Sequence, residues 1–470
     1  MFIGRSDELK SLTEYYNSGR YECAIIYGRR RVGKTELITE FVKDKKHIFF
    51  TAVEGTYQKN LAILSKSVFN GLNGGVRGSS PSFSDFSDCL DHIYHNASEK
   101  LVVVFDEYPY FARSEKSVSS ILQQYIDHKF QKADIMFILC GSSMSFMENQ
   151  VLGYKSPLYG RRTAQYKVLP FDYYECAEML SGFSSEDRII LYGITGGIPE
   201  YVSRIDSSLS VRENARDLFF DPSGRLFEEP SNLLKQELKI PQTYNGIITA
   251  IATGSSRLNE IATKTDIETS QCSNMLNTLI SLGLVKKESP IINQSPSQSS
   301  RKTIYVLEDH MFRFWYRFVL PDISRITAGL GGTVCSEVFG GRIDAYTGYV
   351  FEECAKQYMW RALARGALPV SFQKIGRWWG NNPHEKREEE IDFIAYSGTQ
   401  AIFGECKWRN EKPDEDVLDD LIRKSSLHPQ LTERYYALFS KSGFTDSLTK
   451  WAESTGNVLL VELGAMMSIS

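Results

Sequence analysis

A glycine-rich loop near the N-terminus constrains the fold more than any other stretch. Residues 25–35 read IIYGRRRVGKT and fit the pattern G-x-x-x-x-G-K-T. A short apolar run precedes the loop, and residues with the apolar spacing of a helix follow it. Because strand, loop and helix in this order are the context in which the pattern binds phosphate, the sequence predicts a phosphate-binding loop.

The residue types in this loop suit a nucleoside triphosphate. Gly28 and Gly33 allow the backbone to curl so that its N–H groups face an anion, and the following helix N-terminus adds partial positive charge. Lys34 can reach the β- and γ-phosphates, and the hydroxyl of Thr35 can bind Mg²⁺. The residues expected to bind ATP here are Gly28, Arg29, Arg30, Arg31, Val32, Gly33, Lys34, Thr35 and Glu36.

The composition is that of a globular protein with several domains. At 470 residues the chain is longer than one hydrophobic core usually supports. Its formal net charge of −4 gives no bulk support for a nucleic-acid partner, and its 42% of hydrophobic residues excludes a largely disordered chain. The eight cysteines form no C-x-x-C pair, and the sequence shows neither a signal peptide nor an apolar run of membrane-spanning length. We therefore expect a cytoplasmic protein with no membrane partner.

A second buried strand pattern carries the acids that an ATPase needs. Residues 101–107 read LVVVFDE, and such a continuous apolar run fits a strand buried on both faces of a parallel sheet. Asp106 and Glu107 would emerge at the carboxyl edge, where open α/β sheets bind ligands. Asp106 is expected to hold Mg²⁺ and Glu107 to act as general base. A further run, 135–143, ends in hydroxyls, and Ser142 is expected to contact the γ-phosphate or the attacking water.

Two arginines follow in the loop SPLYGRR. Arg161 and Arg162 are candidates for an arginine finger that neutralises charge in the transition state. The alternative is that each is an ordinary surface or capping arginine. The sequence also leaves open whether a finger acts within one chain or across the subunit boundary of a homo-oligomer.

Together these motifs resemble the archaeal-type ATPase family of the AAA+/STAND group. The resemblance rests on FIGRSDE at the start, GRRRVGKT, FDEYPY, CGSS and SPLYGRR, and it covers about the first half of the chain. It implies a helical lid after the core, with Pro199 in a G-x-P element near the adenine. Without the resemblance, the same glycines and proline indicate a turn between helices.

Residues 236–320 have the pattern of a winged helix. Two helical patterns, 257–262 and 270–280, are followed by a possible wing, with a polar low-complexity loop at 293–300. The second helix would face a DNA major groove but lacks Arg and Lys, so phosphate attraction would have to come from basic residues nearby. These are Lys286, Lys287, Arg301 and Lys302. A structural or protein-contact role for this region remains open.

The C-terminal region contains a second group of chemically suitable residues. Two antiparallel strands, 391–395 and 401–408, would place Asp392 beside Glu405 and Lys407. Two carboxylates and a lysine can hold a divalent cation and stabilise phosphodiester cleavage. This pattern resembles the PD-(D/E)xK nucleases, which implies an upstream helical acid, Glu352 or else Glu353. The alternative is a solvated ion pair on a strand.

The predicted fold class is α/β, with four domains in order. They are a P-loop parallel-sheet ATPase core (1–170), a helical lid (171–235), a winged helix (236–320) and a restriction-endonuclease-like domain (321–470). The expected function is a Mg²⁺-dependent ATPase whose nucleotide state controls a metal-dependent nuclease-like domain acting on nucleic acid, with DNA favoured and Glu352, Asp392 and Glu405 as the metal ligands. The alternatives are a nucleotide-switched binding or scaffold protein with a silent nuclease fold, and a winged-helix DNA-binding regulator.

Overall fold

The computed structural model describes residues 2–73, 82–97, 99–292, 302–383 and 385–467. The chain divides into two compact units, Met1–Pro170 and Phe171–Ser470. The predicted boundaries at 235 and 320 therefore fall within the second unit. The predicted loop 293–300 and Arg301 lie outside the described residues. Across the part of the chain that the structure describes, none of the helices has the length and apolar character needed to cross a membrane.

The first unit is built on a five-stranded, fully parallel sheet. Its strands are β1 (Glu22–Tyr27), β2 (His47–Thr51), β3 (Leu101–Asp106), β4 (Ile135–Gly141) and β5 (Ala164–Lys167). The strand order is β2-β3-β4-β1-β5. Every residue of β1, β3 and β4 is buried, as expected for central strands covered on both faces. The parallel α/β core that the apolar runs predict is confirmed.

Helices connect these strands. They are Ser6–Tyr16, Lys34–Val42, Tyr57–Asn73, Phe86–Asn96, Tyr108–Ser114, Val118–His128 and Met144–Phe146. The helix Phe86–Asn96 begins where the side chain of Asp85 accepts a hydrogen bond from the Asp88 N–H, a standard N-cap. Apolar residues at helical spacing then turn one face of each helix toward the sheet.

The second unit begins with helices and a two-stranded hairpin. The helices are Tyr173–Met179, Ser185–Thr195, Pro199–Val202, Val211–Phe219, Glu229–Glu237, Pro241–Ala252, Leu258–Thr265 and Thr269–Ser281. Capping boxes, in which an N-cap residue and a glutamate three positions later exchange hydrogen bonds, begin two of them at Asp172 and Ser210. The last helix leads into β6 (Val285–Glu288), which pairs antiparallel with β7 (Ile304–Leu307).

A mixed five-stranded sheet forms the C-terminal part of the second unit. Its strands are β8 (Lys374–Asn382), β9 (Arg387–Ser397), β10 (Gln400–Lys407), β11 (Glu433–Ser440) and β12 (Val458–Glu462). The first three pair antiparallel and the last three parallel, in the order β12-β11-β10-β9-β8. The helices that pack on it are Ile343–Ala364, Glu415–Ser425, Asp446–Thr455 and Leu463–Met467. Three further helices precede it in the chain: His310–Phe314, Ile323–Arg325 and Gly331–Glu337.

A glycine in β10 should be required by packing in this sheet. A Cβ added at Gly404 would lie 2.0 Å from Cζ of Phe393 on the neighbouring strand. Gly404→Ala is therefore expected to lower the free energy of unfolding of the second unit by about 1 to 3 kcal/mol through overpacking. The measurement is thermal unfolding of the full chain by calorimetry.

Gly332→Ala is the matched control. Gly332 lies in the helix Gly331–Glu337, and a Cβ there meets nothing within 4 Å. Alanine should leave stability unchanged or raise it by up to about 1 kcal/mol, because it is the better helix former. Equal unfolding temperatures for the two variants would contradict the packing argument.

Candidate functional site

The carboxyl edge of the first sheet gathers the predicted ATPase residues. Strands β3, β4 and β1 are neighbours and run parallel, so the segments after them leave the sheet at the same edge. The glycine-rich loop follows β1, Glu107 follows β3, and Ser142 follows β4. Three predictions made from separate stretches therefore converge at one place.

The two glycines of the loop are required for different reasons. Gly33 has a φ of 89°, in the left-handed region that favours glycine, and the helix Lys34–Val42 begins directly after it. Gly28 has no such angle; a Cβ there would lie 2.3 Å from the carbonyl oxygen of Val168, which follows β5. The sequence predicts curling at both positions, but at Gly28 the constraint is close packing. Arg31 also adopts the left-handed region, with a φ of 71°.

Lys34 and Thr35 form hydrogen bonds with the loop backbone and with Asp106. The buried Nζ of Lys34 donates to the carbonyl oxygens of Gly28 and Arg29, both at 2.9 Å. The hydroxyl of Thr35 donates to Oδ2 of Asp106 at 3.0 Å. A hydroxyl and a carboxylate in contact suit Mg²⁺, which takes one or two protein oxygens and completes its shell with water and phosphate.

The remaining loop residues flank this core. Val32 is fully buried, Arg29 is buried, and Glu36 is exposed in the first turn of the helix Lys34–Val42. Arg30 donates from Nη2 to the hydroxyl of Tyr110 at 2.9 Å. Val32 is therefore a packing residue in this structure, and the loop's contact with a ligand would come from its backbone and its polar side chains.

Glu107 is held by Ser142. Its Oε2 accepts hydrogen bonds from the Ser142 hydroxyl at 2.9 Å and from the Ser142 N–H at 3.3 Å. Glu107 also adopts a left-handed φ of 51°, and its N–H donates to Oδ1 of Asp106 at 3.0 Å. A residue other than glycine in this region is uncommon and occurs often at functional sites. The acid and the hydroxyl predicted for ATP hydrolysis thus form one hydrogen-bonded group.

The two candidate arginines differ in their contacts. Arg161 forms a bidentate ion pair with Asp127, with Nε–Oδ1 and Nη2–Oδ2 distances of 3.1 and 2.9 Å. These hydrogen bonds lower the pKa of Asp127. Arg162 is exposed. In this structure Arg161 has the structural role that the alternative interpretation describes, which leaves Arg162 as the more accessible guanidinium.

Pro199 belongs to the second unit. It occupies the first turn of the short helix Pro199–Val202, after Gly196 and Gly197 with φ values of 67° and 65°. A Cβ at Gly197 would lie 2.2 Å from the carbonyl oxygen of Phe171. The turn between helices is therefore present, and contact with adenine stays a prediction.

Strands β9 and β10 bring the C-terminal acids together. The predicted antiparallel pair is present, with Phe393 opposite Gly404. Oδ2 of Asp392 accepts a hydrogen bond from the Cys406 N–H at 2.7 Å, and Nζ of Lys407 lies 2.5 Å from Oε1 of Glu405.

Burial and like charges change the acidity of this group. Burial, and then the negative charge of Glu405, raise the pKa of Asp392 to about 7. Burial, and then the charge of Asp392, raise the pKa of Glu352 to about 8, although the cations Lys356 and Arg377 act in the opposite direction. Glu352, on the helix Ile343–Ala364, is therefore the upstream acid that interacts with Asp392. Glu353, the other candidate, instead pairs with Lys286 and Lys356 at 3.1 and 2.7 Å.

A lysine that the sequence did not indicate completes this group. Nζ of Lys424, on the helix Glu415–Ser425, lies 3.8 Å from Oε2 of Glu405 and 2.9 Å from Asp420. Its only local signal is the i,i+4 spacing from Asp420, which is common on solvated helices. Glu405, 8% exposed, thus lies between two ammonium groups.

This arrangement does not fit a preformed metal site. Among the described residues, no group of three or more His, Cys, Asp or Glu side chains could hold a metal ion. The oxygens of Glu405 already face Lys407 and Lys424. Glu352, Asp392 and Glu405 form an electrostatically coupled acid group here, which we call the acid–lysine group together with Lys407 and Lys424.

The predicted recognition helix has a polar, uncharged outer face. In the helix Thr269–Ser281, Gln271, Asn274 and Asn277 are exposed, while Ser273 and Thr278 are partly buried. Lys286, expected to attract phosphate, instead pairs with Glu288 at 2.6 Å and with Glu353. The ammonium of Lys286 is therefore paired with carboxylates of the protein in this structure, and attraction of phosphate by Lys286 stays a prediction.

Two protein families match this chain. Residues 2–205 match a family described as an ATPase domain predominantly from Archaea. Residues 315–417 match a family described as "Archaea bacterial proteins of unknown function". The first match contains every residue predicted to hydrolyse ATP, and the second contains Asp392 and Glu405.

Individual relatives agree with these matches. An uncharacterized protein of Methanocaldococcus jannaschii is 32% identical over 451 residues, which cover 94% of this chain and 96% of that protein. An uncharacterized ATP-binding protein of the same organism is 48% identical over 46 residues, 10% of this chain and 78% of that protein. A solved structure, the Walker-type ATPase of Pyrococcus abyssi, superimposes with a TM-score of 0.51 at 19% identity, covering 67% of this chain and 96% of that chain. This last likeness shows a shared fold.

The raised pKa of Asp392 predicts a pH-dependent effect on stability. The folded pKa of about 7 exceeds the ordinary value of 3.8, so the carboxyl reduces stability as pH rises from about 4 through 7. Asp392→Asn should therefore raise the free energy of unfolding by about 1 to 3 kcal/mol at pH 8 and leave it unchanged at pH 4. Denaturant unfolding at the two pH values measures this. A stabilisation equal at both pH values would contradict it.

Proposed function

The chain belongs to an archaeal ATPase family, and we propose that it hydrolyses ATP with Mg²⁺ at the loop 28–35. The observation that carries the proposal is the pair of hydrogen bonds from Thr35 to Asp106 and from Ser142 to Glu107 at one sheet edge. They join three segments that are distant in the sequence into one polar group beside a phosphate-binding loop.

Each residue of this group has a distinct role in the proposal. Lys34 exchanges its two carbonyl contacts for phosphate oxygens, whose negative charge makes them stronger acceptors. Thr35 and Asp106 would hold Mg²⁺, which when bound neutralises charge on the β- and γ-phosphates. Glu107 orients a water molecule and accepts its proton, and Ser142 keeps the carboxylate in place. Arg162 is the candidate for stabilising charge on the transferred phosphoryl group.

Substitutions in this group should separate binding from hydrolysis. Lys34→Ala is expected to lower kcat for ATP by on the order of 100-fold or more, because the phosphates lose a buried cation. Glu107→Gln is expected to lower kcat by about 100- to 10,000-fold while ATP still binds, since only proton transfer is lost. Phosphate release measures turnover, and a fluorescent ATP analogue measures binding.

Lys43→Ala is the matched control, because Lys43 lies just after the same helix with an exposed side chain that pairs with Glu40. Its turnover should equal that of the wild type. Turnover that survives Lys34→Ala would refute the assignment of the site.

The second candidate function concerns the acid–lysine group. We propose that the second unit is nuclease-like, with a winged helix at 236–320, and that the nucleotide state of the first unit controls it. The supporting observation is the meeting of Asp392, Glu405 and Lys407 on adjacent strands with Glu352 beside them. A carboxyl with a pKa of about 7 can accept a proton from water near neutral pH. Lys407 and Lys424 can then face a phosphodiester of nucleic acid, with DNA as the favoured substrate.

The lack of a three-carboxylate metal group in the described residues favours a related alternative. In that alternative, the second unit has the nuclease-like fold and binds nucleic acid without cleaving it, so that the chain is a nucleotide-switched scaffold. The uncharged face of the helix Thr269–Ser281 argues against a sequence-specific regulator that depends on this helix alone. We propose a cytoplasmic location, supported by eight free cysteines.

A cleavage assay distinguishes these alternatives. Supercoiled plasmid, single-stranded DNA and RNA are incubated with the full chain, with and without ATP, in Mg²⁺, Mn²⁺ or EDTA. Asp392→Ala combined with Lys407→Ala should lower the nicking rate on the order of 100-fold. Asp419→Ala combined with Lys412→Ala is the control, and it should nick as the wild type does. Binding by the wild type without any nicking would refute cleavage and support the scaffold.

A further inference from the structure

The hairpin of β6 and β7 is anchored on two sides within the second unit. On one side, the Tyr305 N–H donates to the carbonyl oxygen of Ser256 at 2.7 Å, just before the helix Leu258–Thr265. On the other side, the Ile291 N–H donates to the carbonyl oxygen of Arg377 on β8 at 2.9 Å. Ile291 also packs against the hydrophobic core of the C-terminal sheet. The hairpin therefore joins the helical region 241–281 to the sheet that carries Asp392.

An ion-pair cluster strengthens the second anchor. Nζ of Lys286 on β6 lies 3.1 Å from Oε1 of Glu353 and 2.6 Å from Glu288, and Lys356 donates to Glu353 at 2.7 Å. The side chains of Lys286 and Glu353 are each 23% exposed. Removing either partner would leave the other largely shielded from water with only one of its two opposite charges, which is unfavourable. The cluster therefore holds the helix Ile343–Ala364 against β6.

The same helix carries the acid of the neighbouring group. Glu352 directly precedes Glu353, and consecutive helical residues diverge by about 100° around the axis. Glu353 meets the hairpin through Lys286, while the same helix packs against β9 and β10, where the charge of Asp392 acts on Glu352. Arg377, whose carbonyl oxygen the hairpin binds, also acts by its charge on Glu352. The second anchor of the hairpin therefore involves groups that act on Glu352 or on its neighbour Glu353.

We propose that Lys286 is a positioning residue, which through Glu353 sets the place of Glu352 relative to Asp392. The wing-like hairpin is then an internal connection of the second unit, in which Glu288 and Glu353 hold the ammonium of Lys286. Its effect on activity rests on the nuclease-like function proposed above, whereas its effect on the helix does not.

The test uses the full chain and two independent measurements. Lys286→Met is expected to lower kcat for plasmid nicking by about 10- to 100-fold, because a supporting contact is lost. The KM for DNA and the rate of ATP turnover should stay within about twofold of the wild-type values, because the substrate contacts remain. Lys286→Arg should retain most of the activity, since the charge is kept. Hydrogen exchange of residues 349–356 should become about tenfold faster in Lys286→Met, and Glu353→Gln should show the same pattern.

Lys450→Met is the matched control, because Lys450 is an exposed lysine of the second unit, on the helix Asp446–Thr455. It should change neither measurement. Unchanged exchange of residues 349–356 in Lys286→Met would overturn the proposal, and so would faster exchange spread evenly over the whole second unit. If the wild type does not nick DNA, the nuclease-like function fails, and the exchange measurement alone decides the positioning role.

Discussion

Parallel pairing of β3, β4 and β1 is the constraint on which the first unit depends. All residues of these strands are buried, so their backbone N–H and C=O groups must form hydrogen bonds within the sheet. The chain can therefore turn only at the ends of the strands. The carboxyl ends then coincide, and Thr35, Asp106, Glu107 and Ser142 come within hydrogen-bonding distance. The phosphate recognition that we propose thus depends on the arrangement of a hydrophobic sheet. The strained backbone at Glu107 is stable because Asp106 and Ser142 both bind that residue.

The second unit places charge inside its structure in two contrasting ways. Lys286, Glu353 and Lys356 form a compensated cluster, in which ion pairing overcomes burial and keeps the pKa of Glu353 low. Glu352, the residue before Glu353, and Asp392 on β9 instead have negative charges nearby, and burial together with these charges raises their pKa values. Paired charges hold the helix Ile343–Ala364 against β6. Carboxyl groups that lack enough opposite charge are suited to proton transfer or to binding a positively charged group. Neighbouring residues of one helix, Glu352 and Glu353, therefore have different roles.

Local patterns predicted more of the first unit than of the second. The run 101–107 and the loop 28–35 are each contiguous, so strand type and site chemistry could be inferred from a few neighbouring residues. The place of Lys424 in the acid–lysine group could not be inferred in this way, because Lys424 comes near Glu405 only when the helix Glu415–Ser425 packs on the sheet. The pairing of Arg161 with Asp127 could not be inferred either, because the two residues are 34 positions apart. The sequence could not show that Lys286 pairs with Glu353 either, because the two residues are 67 positions apart.

The sequence by itself determined the parallel α/β core, the phosphate-binding loop and the strand pair that carries Asp392 and Glu405. Periodicity and short motifs suffice for these features, because the information lies within about ten residues. Tertiary structure decided that Gly28 is needed for packing against Val168 and that Glu405 lies between two lysines. It also decided that Glu353 pairs with two lysines, whereas the charge of Asp392 acts on Glu352. Each of these depends on distances between segments far apart in the chain, and on burial, which changes the cost of every charge. The glycine-rich loop remains the feature that organises the first unit, while the acid–lysine group of the second also depends on contacts of Lys424 and Glu352 that no local pattern encodes.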